Sequence, residues 1–107
     1  MNAPISSMYN SKSIVVLGGG PAGLYFALLM KKTEPDWEVT VIERNPAGVT
    51  YGWGVVFSDR TLAAFARADT PTYEAISEGF VLWDSIDVRY RGRTVRCGGH
   101  VIAAISR

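Results

Sequence analysis

Gly18-Gly19-Gly20-Pro21-Ala22-Gly23 satisfies the pattern G-x-G-x-x-G, and Glu43 lies 20 residues beyond Gly23. Those residue types at that spacing suit a phosphate-bearing dinucleotide. Gly18 permits a tight turn, Gly20 lets a pyrophosphate approach the backbone, and Gly23 lets a helix pack closely on its neighbouring strand. Pro21 has no N–H to lose in a first helical turn, and with Ala22 it opens a helix whose free N–H groups face an anion favourably. Glu43 can accept hydrogen bonds from both ribose hydroxyls of an adenosine, and its charge disfavours a 2′-phosphate, which makes NADP a poor candidate for this site.

Such a match carries weight only between a strand and a helix, so the elements around it matter. Ile14-Val15-Val16-Leu17 is a short apolar run rich in β-branched residues, the signature of a strand buried on both faces. Residues 22–33 are good helix formers, and Pro35 stops the helix. Residues 37–43 read as a second strand, completing a βαβ unit. Residues 45–54 form a loop with Pro46, Gly48, Gly52 and Gly54. Ser58 is placed to cap a helix running to about Ala68, with Pro71 beyond its end. Ile86, Val88 and Tyr90 alternate with Asp87, Arg89 and Arg91, Arg91-Gly92-Arg93 reads as a turn, and residues 94–97 as the returning strand. The fold class is therefore α/β. Residues 1–12 are a loose leader, and residues 13–107 are the N-terminal part of a Rossmann-type dinucleotide-binding domain with a β-hairpin at about 84–97. A doubly wound sheet needs more parallel strands than two, so the chain is expected to be a fragment of a longer protein.

Composition narrows the function classes. The chain has 107 residues, 48% of them hydrophobic and 20% charged, enough for one core. A net charge of +1 draws it neither to nucleic acid nor to a membrane surface. One cysteine, Cys97, leaves no internal disulfide or Cys-rich zinc site, and one histidine, His100, no His-based metal centre. The start of the chain lacks the basic and apolar regions of a secretory signal. Residues 13–30 are uncharged, but three glycines and a proline split them into strand, turn and helix, so no membrane span is read and a cytoplasmic protein is expected. His100, with no carboxylate nearby in sequence, reads as structural, and Cys97, alternating with Val95, as a buried small hydrophobe. The four arginines Arg89, Arg91, Arg93 and Arg96 read as a solvated hairpin face or a partner for an anion. Trp53, between Gly52 and Gly54, reads as a core aromatic in a turn.

The fingerprint serves FAD and NAD alike. The residues from Gly18 to Lys31, Val41-Ile42-Glu43-Arg44-Asn45, Tyr51-Gly52-Trp53-Gly54-Val55-Val56-Phe57-Ser58-Asp59 and Gly92-Arg93-Thr94-Val95-Arg96-Cys97-Gly98-Gly99-His100, in that order, resemble the single-component FAD-dependent aromatic monooxygenases. The resemblance is strongest to the branch that acts on aryl-CoA thioesters. It covers the chain from about Ser13 onward, and its second half is the more specific. It implies FAD as cofactor, NAD(P)H as co-substrate, and O₂-dependent hydroxylation of a small aromatic substrate held as a CoA thioester. It further implies that Gly52, Trp53, Gly54 and Val55 approach the flavin ring, that Arg44 lies near the adenosine, and that Arg107 reaches the FAD phosphates. Residues 101–106 depart from the family's more Gly-rich pattern. No residue is nominated as a catalytic acid or base, and no metal is expected. The alternatives are an NAD-dependent dehydrogenase built on the same fingerprint and a non-catalytic binding module.

Overall fold

A computed structural model of the protein describes residues 12–106. They fall into two compact units, one ending at Val49 and the other beginning at Thr50.

The first unit is a βαβ element. Strand β1 (Ser13–Leu17) pairs in parallel with β2 (Glu38–Ile42), Ile14 opposite Val39 and Val16 opposite Val41. Helix α1 (Pro21–Thr33) connects them. Its last turn is basic, and Lys31 Nζ donates to the carbonyls of Pro35 at 2.7 Å and Trp37 at 2.8 Å, satisfying acceptors where the chain turns into β2. Ile14, Val16, Val39 and Val41 are half-buried on the face that α1 covers, whereas Val15, Leu17 and Ile42 on the opposite face are exposed, Leu17 to 81%. The unbroken apolar run in β1 predicts cover on both faces; among the described residues only one face has it.

The second unit is a three-stranded antiparallel sheet in the order β3-β5-β4, with β3 at Gly54–Ser58, β4 at Val81–Tyr90 and β5 at Arg93–Ser106. Helices α2 (Asp59–Ala68) and α3 (Thr70–Ser77) lie between β3 and β4 in sequence. Ser58 caps α2 as expected, its Oγ accepting from Thr61 N at 3.3 Å. Phe57 meets Phe65 edge-on at 5.3 Å between ring centres and Phe80 at 6.0 Å, and Tyr73 meets Phe80 at 6.5 Å. These rings, with buried Leu62 and fully buried Ala103, form the core of this unit.

The differences from the sequence reading lie mainly in this unit. Residues 54–58 form a strand rather than the end of a loop. A second helix follows Asp69 because Pro71 sits in its first turn, where a missing N–H costs nothing. The hairpin is longer than 84–97, since the second half of β5 pairs with both β3 and the start of β4, with a bulge between Trp83 and Ser85. Its turn is Arg91-Gly92, with φ +46° and +75°, the pair of positive angles that joins twisted antiparallel strands well. Cys97 is exposed, because the hairpin face it shares with Val95 and Ile86 has no cover among the described residues.

Candidate dinucleotide-binding site

The turn between β1 and α1 is shaped by its glycines. Gly18 adopts φ +110°, a conformation that a side chain resists, and its N–H donates to the Ile42 carbonyl at 2.8 Å, tying the turn to the end of β2. A Cβ on Gly23 would fall on the Gly18 carbonyl oxygen and near Val16 Cγ1, so helix and turn close together only with glycine there. Gly20 differs from both. Its φ of −73° is ordinary and an added Cβ would meet nothing within 4 Å. Nothing in the fold of this unit requires glycine at position 20, and the space it leaves open lies over the start of α1. That helix has no side-chain cap, no acidic residue in its first turn and Pro21 at its start. The N–H groups of Ala22 and Gly23 have no intrahelical acceptor and are available to an anion. The surface over that helix N-terminus is open, so an anion can reach those N–H groups.

Glu43, exposed just past β2, is held by the backbone N–H groups of Asn45, Gly19 and Arg44 and by the Asn45 side chain. Its Oε2 accepts from Gly19 N at 2.7 Å, and its Oε1 accepts from Asn45 N at 2.8 Å and Asn45 Nδ2 at 2.7 Å. The backbone N–H of Asn45, followed by that of Gly19, keeps the carboxyl below its ordinary range, so it is an anion at neutral pH. Asn45 thus supplies two donors to Oε1. With these bonds in place the carboxylate is already oriented at the end of β2. Arg44 is exposed and joins Leu17, Gly18, Ile42, Glu43 and Asn45 around a hollow of about 410 Å³. Gly18, Gly20, Pro21, Ala22, Gly23, Glu43 and Arg44 thus share one end of the βαβ unit.

No family model matches the chain. Salicyloyl-CoA 5-hydroxylase from a Streptomyces species is 47% identical over 94 residues, which are 88% of this chain and 18% of that protein. The 3-hydroxy-4-methyl-anthranilyl-(aryl-carrier protein) 5-monooxygenase of Streptosporangium sibiricum is 31% identical over the same share of this chain and 27% of its own length. This chain is a relative of the aryl monooxygenases. Protodeoxyviolaceinate monooxygenase of Chromobacterium violaceum is 45% identical over 47 residues, 44% of this chain and 13% of that protein. The chain therefore spans between about an eighth and a quarter of the length of these relatives.

The other residues singled out in the chain belong to the second unit. Gly52 adopts φ +77° in the approach to β3. A Cβ on Gly54 would stand 2.7 Å from the Ile105 carbonyl oxygen, so strand pairing alone explains that glycine. Val55 is half-buried opposite Ile105. Trp53 is 98% exposed, which overturns the reading of it as a core aromatic: the pairing of Gly54 with Ser106 starts the strand one residue later and leaves the indole outside. Arg107 lies outside the described residues.

Two pairings escaped the sequence reading. His100 does have a carboxylate neighbour: its Nδ1 lies 3.2 Å from Asp59 Oδ2, across 41 residues of sequence. That contact, then the N–H of Arg60, lowers the Asp59 pKa. Arg96 grips Asp87 through both carboxylate oxygens, at 2.8 and 3.1 Å, lowering the acid and raising the base. The only signal for the second was the strand alternation, which becomes a pairing once Asp87 is known to face Arg96 in register. Asn45 was also passed over, although an Asn two residues after an acid is well placed to bond back to it. Among the described residues, no three or more His, Cys, Asp or Glu side chains gather as a metal site, and no helix is long and apolar enough to cross a membrane.

Proposed function

We propose that this chain supplies the adenosine-pyrophosphate portion of the FAD site in a flavoprotein aryl monooxygenase, with the fold of a Rossmann-type FAD-binding domain. The observation that carries this reading is the contrast between Gly20 and Gly23. One glycine is required by packing, and the other leaves space that the protein itself does not use. Similarity to three monooxygenases supplies the reaction class.

In this reading the N–H groups at the start of α1 bind the pyrophosphate, and Gly18, Gly20 and Gly23 let it come close. Glu43 accepts from the ribose hydroxyls and repels a 2′-phosphate, while Arg44 flanks the adenosine. On the family resemblance alone, Gly52, Trp53, Gly54 and Val55 are assigned to the flavin ring and Arg107 to the phosphates. FAD, reduced by NAD(P)H, supplies the oxygen chemistry, and the protein supplies binding and orientation. The substrate is a small aromatic acid carried as a thioester, with CoA as carrier, in line with the acyl-CoA and aryl-carrier-protein substrates in the names of two relatives.

The test is the visible absorbance of the purified full-length protein, followed by NAD(P)H oxidation with and without an aryl-CoA. A yellow protein that releases FAD on denaturation, and whose NAD(P)H oxidation rises with aryl-CoA, supports the reading. A colourless protein that binds NAD instead would favour the dehydrogenase.

A further inference from the structure

Glu43 is fully exposed and carries a long flexible side chain, yet its carboxylate is fixed on both oxygens. Asn45 supplies two donors to Oε1, its backbone N–H at 2.8 Å and its Nδ2 at 2.7 Å, and the opposite oxygen then meets Gly19 N at 2.7 Å. A second constraint comes from Gly19, where an added Cβ would lie 3.1 Å from Glu43 Cβ and 3.3 Å from Oε2. Gly19 occupies a position at which the fingerprint allows any residue. Here the seated carboxylate makes the position tight. The turn is thereby joined to the end of β2 twice, once through the main chain of Gly18 and Ile42, and once through this side-chain link.

We propose that Asn45 is a positioning residue of the dinucleotide site: acting through Glu43, it clamps the carboxylate onto the Gly19 N–H and so sets the glycine turn and the ribose acceptor before the ligand arrives. The proposal rests on the dinucleotide reading given above. Its physical content is preorganisation. A carboxylate already seated loses little rotamer freedom when a ribose hydroxyl binds, and the turn beneath it does not have to be ordered at that moment. Asn45 itself need not touch the ligand.

The test uses the full-length protein, with ADP as the probe and calorimetry as the readout. Asn45→Ala should weaken ADP roughly tenfold. Asn45→Asp, which loses the Nδ2 donor and adds a like charge beside the carboxylate, should weaken it further. Gly19→Ala, which pushes the Glu43 side chain aside, should weaken it severalfold. In the Glu43→Ala background, Asn45→Ala should change nothing, since its effect passes through the carboxylate. The acid edge of ADP affinity should also move to higher pH in Asn45→Ala, because the Glu43 carboxyl loses a donor that favours its charged form. A merely structural asparagine would alter the melting temperature without moving that edge. Equal ADP affinity in wild type and Asn45→Ala, or an equal loss with and without Glu43, would overturn the proposal. If the wild-type protein binds neither ADP nor FAD, the dinucleotide reading fails, and the clamp is judged by NMR titration of the Glu43 carboxyl in the free protein. An upward shift in Asn45→Ala then upholds the clamp, and an unchanged titration overturns it.

Discussion

The two units use their polar groups differently. In the second, Phe57 and Ala103 face each other across β3 and β5 and the rings of Phe65 and Phe80 pack on Phe57, while Leu82, Val88 and Val95 stay exposed. In the first, α1 covers one face of a two-stranded sheet, while Val15, Leu17 and Ile42 stand open on the other. Among the described residues, the first unit holds Glu43 on Gly19 and Asn45 at its glycine turn. Both units leave apolar side chains open, and the first sets a held carboxylate beside a helix N-terminus. An unused space over a helix N-terminus, next to a clamped carboxylate, is what a ligand site needs and what a packing core would not keep.

That contrast breaks most sharply at Gly23. In Gly23→Val the side chain must enter the Gly18 carbonyl, and the βαβ turn cannot close. A cost of about 3 kcal/mol is expected. Amide exchange should speed up throughout β1, α1 and β2 while β3, β4 and β5 keep their protection. Equal loss in both units would show that they fold as one. The complementary change is Phe57→Ala. It should cost about 2 kcal/mol, less than for a fully enclosed ring because Phe57 is only half-buried. Exchange should then rise in β3 and β5 first, with the affinity of the first unit for ADP unaltered.

Smaller effects sharpen the comparison through charge. The carboxyls of Glu43 and Asp59 are both held below their ordinary values, by backbone N–H groups in one case and chiefly by His100 in the other. A lowered folded pKa contributes stability that is present above the unfolded value and is lost as pH falls through the folded one. Both units should therefore lose a little stability over the acid range below the ordinary carboxylate pKa. Glu43→Gln should remove that dependence from the first unit alone, and His100→Ala should reduce it in the second alone. Melting of each variant against pH, followed by exchange in each unit, checks the assignment. His100→Ala should leave melting at neutral pH unresolved from wild type, since the pair is exposed.

The same comparison explains what the sequence disclosed. The fingerprint, β1, α1, β2 and the distant Glu43 fit within some thirty residues, so spacing alone could assemble them. Ser58 was legible for the same reason, as its bond partner is three residues away. Strand β3 was not, because its first pair joins Gly54 to Ser106 and glycines at positions 52 and 54 resemble a loop. Asp59 and His100 meet only after β5 has been laid beside β3. For Cys97 the alternation gave the correct side of the strand, but alternation does not say whether that side is covered. Pro71 lies beyond the end of the expected helix, and the structure uses it in the first turn of the next one.

In the proposed FAD site, the open position over Gly20 serves a ligand and not the fold. The most direct measurement compares wild type with Gly20→Val in the full-length protein, by thermal melting without ligand and by ADP and FAD titration. The backbone at Gly20 accepts a side chain and the added atoms meet open space. The variant should therefore melt with the wild type while its affinity for both ligands falls by at least a hundredfold, more than two hydrogen bonds of ordinary strength would supply. A variant that binds ADP and FAD as tightly as wild type would contradict the claim.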